Sequence, residues 1–158
     1  MTLNGSRTNP FAIVSPSTTL SSTIDRLASS TERVIASSHS PEPAQRLDLP
    51  SDFTPVVEVV IEEAKRLYQE AKNLSEAPRV SSHLAVLQKS LSVGRVHDAL
   101  VVPLENKRKT NIIVRDESGR VEVGWVWTNC LFTDHLTYLD IAEGERVGAV
   151  IVHFPRQQ

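Results

Sequence analysis
The residue types best suited to chemistry stand close together near position 130. Cys130, Asp134 and His135 lie within six positions of one another. A thiol attacks only as the thiolate, which needs a base or a positive setting beside it. An imidazole held by a carboxylate supplies such a base. Nucleophile and base meet here only if the loop folds back, and the simpler reading is a buried structural cysteine beside a surface Asp–His turn. Because Cys130 is the single cysteine, neither an internal disulfide nor a Cys-rich metal site can form.

The five histidines are His39, His83, His97, His135 and His153, and none has metal-ligand spacing such as His-Glu-x-x-His. His97-Asp98 and Asp134-His135 can form a metal site only by converging across strands, which nothing in the pattern requires. With only 6 glycines, the chain has neither a phosphate-cradling glycine loop nor a Gly-x-Ser-x-Gly elbow. The expectation is therefore no catalytic residue, no cofactor and no metal.

A basic edge is the other candidate. Lys107, Arg108 and Lys109 form the one basic triplet, with Arg115 and Arg120 along the same predicted hairpins and Arg95 ahead of them. Such an edge can grip RNA phosphates or anionic lipid heads. Glu105, Asp116 and Glu117 flank it, and 17 basic against 19 acidic residues leave a formal charge of −2, without the excess typical of nucleic-acid-binding domains. Trp125 and Trp127 stand out in a chain with 5% aromatic residues. They are expected on the core face of a sheet, with an exposed interface patch as the alternative.

The elements that must position these residues fall into three parts. Residues 1–51 hold 11 Ser, 6 Thr and 5 Pro, too little apolar surface to offset the entropy of ordering them. This part is read as a disordered arm. Leu20, Ile24, Leu27 and Val34 recur at helical spacing in it, and Ser22-Thr23-Ile24-Asp25 resembles a capping box, so a short helix over 22–36 can form on a partner or on the domain. Ser15-Pro16 and Ser40-Pro41 are candidate phosphorylation sites in the arm. Thr54-Pro55 then starts a long amphipathic helix, whose face runs from Val57 through Val60, Ala64, Leu67 and Tyr68 to Leu74. A second helix is expected from Ser82 to Gly94, with Leu84, Leu87 and Leu91 inward.

The third part reads as strands over 96–104, 110–115, 120–128 and 147–154, with a turn at Asp116-Glu117-Ser118-Gly119 and an unassigned stretch over 131–141.

The expected architecture is α+β: two N-terminal helices on a mainly antiparallel sheet of four to five strands, behind the arm, with a single domain over 52–158. The expected function is a non-enzymatic interaction or assembly protein, self-associating or binding a protein partner, with Leu20, Ile24, Leu27, Trp125 and Trp127 as its interface. The alternative is RNA or anionic-membrane binding through Lys107, Arg108, Lys109, Arg115 and Arg120, as in a small viral structural or accessory protein. No stretch has the roughly 18 consecutive apolar residues of a membrane span, and the N-terminus lacks the pattern of a secretory signal. An intracellular, cytoplasmic protein is expected; the acid-free, Ser/Thr-rich start also allows an organelle transit peptide.

Overall fold
The computed structural model describes residues 11–37, 41, 43–47, 50–76, 78–104, 111–119, 122–126, 129–142 and 144–155. The described chain runs β1 (Phe11–Val14), α1 (Thr18–Arg26), α2 (Ala28–Ser37), β2 (Ala44–Leu47), a short 3-10 turn, and α3 (Thr54–Lys72). Eight strands follow: β3 (Ser81–Gln88), β4 (Leu91–Val93), β5 (His97–Pro103), β6 (Asn111–Asp116), β7 (Glu122–Val126), β8 (Cys130–Thr133), β9 (Thr137–Asp140) and β10 (Arg146–Pro155). They form a six-stranded sheet in the order β1-β8-β5-β10-β3-β2 and a four-stranded sheet in the order β4-β9-β6-β7. Every pairing among the described residues is antiparallel. From β3 to β10 the chain alternates between the sheets except at the β6–β7 hairpin, the winding of a jelly roll.

Two apolar layers follow from the period-two alternation of these strands. Leu84, Leu100, Val102, Phe132, Val150, Val152 and Phe154 face outward from the large sheet and meet Val56, Val60, Ala64, Leu67 and Tyr68 of α3. Ala85, Leu87, Val101, Leu131, Val147, Ala149 and Ile151 face inward and meet Val93, Ile112, Val114 and Leu139 of the small sheet. Pro55 in the first turn of α3 and left-handed Asn73 (φ 53°) at its end explain why the helix covers the sheet and then stops.

This architecture corrects the expected one in two places. The segment from Ser82 to Gly94 is not a second helix but β3, a turn with Lys89 at φ 58°, and β4. Leu84, Leu87 and Leu91 satisfy helical spacing, yet Leu84 to Leu87 form one continuous buried run. A strand covered on both faces has that pattern, and periodicity cannot separate it from a buried helix. The expected disordered arm instead carries secondary structure. Its β1 pairs with β8 and its β2 with β3, so both extend the large sheet at its edges. Where one helix was expected over 22–36 there are two. Ser17 caps α1 by accepting the Leu20 N–H at 3.1 Å, and Leu20 and Ile24 are buried against α3. The apolar positions of the arm are few, but the finished sheet and α3 provide the surface that buries them.

Candidate functional site: a histidine-lined mouth
Three inward positions at one end of the jelly roll carry histidine. His83 follows the inward alternation of Ala85 and Leu87 on β3, His97 that of Val101 on β5, and His153 that of Ile151 on β10. The antiparallel register brings them together: Ile151 lies opposite His83, and Pro155 opposite His97. The His83 and His153 rings stack with centroids 5.2 Å apart and planes 15° from parallel. His97 meets His153 edge-on at 5.9 Å.

These rings line a cavity of about 420 Å³, with Ser81, Ser92 and Arg95 as further polar lining and Leu91, Val93 and Ile151 as its apolar floor. Gly94 also lines it, at φ 79°, and a Cβ there would run into the backbone carbonyl of His135. Only glycine lets β4 leave the sheet along this path.

Burial lowers the pKa of His83 to about 4, with His153 and Arg46 adding repulsion. His153 is lowered by burial, then by His97 and Arg46. Arg46 lies opposite Ala85 in the register and so shares the inner face of the large sheet. At neutral pH His83 is an uncharged imidazole with one donor and one acceptor nitrogen.

The residues singled out in the sequence are dispersed. Cys130 is buried against the helix-side core, and burial followed by the charge of Glu63 pushes its thiol up to about 12. His135 is exposed, with Nδ1 2.6 Å from Asp134, whose other oxygen receives Lys72 at 3.2 Å. Cys130 and His135 therefore form no nucleophile–base pair. His97 and Asp98 point to opposite faces: Asp98 is buried and accepts the Tyr68 hydroxyl at 2.7 Å. Arg115 pairs with Asp140 at 2.9 Å and lies over the Tyr138 ring at 4.7 Å. Leu20 and Ile24 are core residues, with Leu27 packed beside them. Trp125 lies opposite Ile112 in the β6–β7 register. Lys107, Arg108, Lys109, Arg120 and Trp127 lie outside the described residues.

Sequence reasoning listed all three mouth histidines without joining them. A usable signal was present for one of them: His153 stands two positions from Ile151 in a run read as a strand, whereas the run holding His83 was expected to be a helix. Their meeting depends on strand order, which no local pattern encodes.

No family model and no curated protein matches the chain. Solved structures do. A Pseudomonas putida prolyl-4-hydroxylase superposes with a TM-score of 0.61 at 12% identity, covering 96% of this chain and 95% of its own. A viral collagen prolyl hydroxylase from Paramecium Bursaria Chlorella virus-1, in its 2OG complex, gives 0.62 at 6% identity over 96% and 98%. A Burkholderia pseudomallei oxidoreductase of the 2OG-Fe(II) oxygenase family gives 0.56 at 10% over 94% and 85%.

The chain has the fold of these enzymes. The α+β expectation is replaced by their two-sheet architecture, helices included. The expectation of a non-enzymatic interaction or assembly protein, with its RNA-binding and viral structural variants, is corrected by the same likenesses: these three neighbours, which span nearly the whole chain, are two prolyl hydroxylases and an oxidoreductase of the 2OG-Fe(II) oxygenase family.

The fold raises the question of an iron centre. A non-haem iron site of the facial type uses two histidines and a carboxylate. Among the described residues no three His, Cys, Asp or Glu side chains are placed to hold a metal ion. Among the described residues lining the cavity there is no carboxylate. Ring lone pairs lie in the ring planes, and the nearly parallel planes of His83 and His153 do not meet at a shared ion. The mouth residues do not fit that group.

Proposed function
We propose that the chain is an enzyme of this fold that works at the histidine-lined mouth, with proton transfer by imidazole as its chemistry. One observation carries the reading: three histidines from three strands face a cavity of about 420 Å³, large enough for a small molecule. His83, uncharged at neutral pH, presents an acceptor nitrogen to a ligand proton within hydrogen-bond reach. Its low pKa makes it a weak base while the cavity is empty. Negative charge developing on a ligand favours the imidazolium and raises that pKa toward the working range. Ser81 and Ser92 supply hydroxyls that can orient the ligand.

The test is exchange of carbon-bound hydrogen for deuterium, followed by NMR in D2O over a panel of small oxo and hydroxy compounds. The full chain is expected to catalyse exchange in one of them. His83→Gln and His153→Gln should each slow it by about a hundredfold, and His135→Ala should not. Exchange that survives both mouth substitutions, or a panel without exchange, overturns the reading. Oxygen uptake that requires added Fe(II) and 2OG also overturns it, by placing the chain with the oxygenases in chemistry as well as in fold.

A further inference from the structure
We propose that the mouth is a proton-linked binding site for a small oxyanion, a carboxylate or a phosphate-type group, held by His83, His97 and His153. This rests on the reading of the mouth as the functional site and names the ligand class it takes.

The charge inventory carries the argument. The described residues lining the cavity include three histidines, Arg95, Ser81 and Ser92, and no Asp or Glu. Arg46 of β2 adds positive potential from the same face, the smallest of the causes that lower His83 and His153, after burial and the neighbouring histidine. The nearest carboxylate in sequence, Asp98, points to the opposite side of the sheet, where Tyr68 holds it. The elements around the site therefore present donors and positive charge from β2, β3, β5, β10 and the β4–β5 connection. A site lined in this way attracts anions.

The imidazoles make the binding proton-linked. In the empty site, burial and then the repulsion of neighbouring groups favour the uncharged rings of His83 and His153. An oxyanion between them reverses the balance, because each ring nitrogen then gains by donating to negative charge. Binding thus takes a proton from solvent, and by linkage the site binds more tightly as pH falls. A permanently charged cluster of lysines would show no such coupling near neutral pH.

The experiment is calorimetric titration of the full chain at pH 6, 7 and 8. Sulfate serves as the tetrahedral probe and succinate as the carboxylate probe, each in two buffers of different ionisation enthalpy so that protons are counted. One of the two probes is expected to bind with uptake of about one proton and to weaken by up to about tenfold per pH unit. The probe that binds identifies the source class. His83→Gln with His153→Gln should abolish binding and His135→Ala should leave it intact, with thermal unfolding confirming that the variants fold.

Binding without proton uptake by the unmodified chain overturns the proposal whatever the variants do, as does failure of both probes to bind at millimolar concentration. The measurement involves no turnover. Anion binding without hydrogen exchange would sink the catalytic reading and leave this one standing, and exchange without anion binding would do the reverse.

Discussion
At the scale of single residues, the buried polar pair beneath α3 is the sharpest test of the packing. Tyr68 stacks on Phe154 with centroids 4.2 Å apart and donates its hydroxyl to Asp98 at 2.7 Å. Removing one partner leaves the other buried, which costs about 1–3 kcal/mol. Tyr68→Phe should lower stability by about that amount in urea denaturation, while the aromatic stack is retained. A loss below ~0.5 kcal/mol would show that the Asp98 carboxylate is satisfied without the hydroxyl. Cys130 illustrates the converse. Its position near an acid and a histidine in sequence suggested reactivity, but a thiol pushed up to about 12 stays protonated at neutral pH. β8 ends at Thr133, so Cys130 is buried in the sheet while Asp134 and His135 lie in the turn beyond it, and proximity along the chain decided nothing here.

At the scale of elements, α1 and β1 tie the N-terminal segment to the jelly roll. Leu20 is fully buried among Ile24, Val60 and Ala64. Leu20→Ala removes buried methyl groups and opens a cavity, at a cost of about 2–5 kcal/mol. Global unfolding should shift by that amount if the segment belongs to the cooperative unit. If the segment melted separately, the main transition would stay in place while only the exchange protection of residues 18–26 fell. The same elements expose the limit of compositional reading. A Ser/Thr/Pro-rich stretch cannot supply its own core, yet β1 needs only the open edge of β8, and α1 only the face of α3.

At the scale of the whole molecule, the cluster of histidines makes stability depend on pH. The folded pKa of His83 lies below its ordinary value, near 4 against 6.5, and that of His153 is also lowered. Between these values the unfolded chain binds more protons than the folded one, so stability rises with pH through this window. The stabilisation is fully present above pH 6.5 and is lost as pH falls toward 4. In a buffer free of oxyanions, stability should fall measurably over that interval, by less than the shift alone implies because both rings are only half-buried and screened by solvent. The double substitution of His83 and His153 by Gln should flatten the curve. An unaltered curve in that variant would place the acid sensitivity in other groups. No helix among the described residues is long and apolar enough to cross a membrane.

The residue pattern alone determined where α3 begins, because Pro55 and the apolar stripe from Val57 to Tyr68 act through local geometry; its end at Lys72, before left-handed Asn73, falls short of the Leu74 to which the stripe extended. It also determined that Asp116 to Gly119 turns, since Gly119 at φ 72° accepts a conformation other residues resist. Only the tertiary structure decided whether Leu84 to Leu87 is helix or strand, because a run buried on both sides satisfies both periods. It alone decided what becomes of Phe11–Val14 and Ala44–Leu47, whose backbone groups pair only when β8 and β3 are already in place. The mouth belongs to the same class. His83, His97 and His153 lie on three separate strands, and two non-local strand pairings, β10 with β3 and β10 with β5, not any spacing, set them around one cavity.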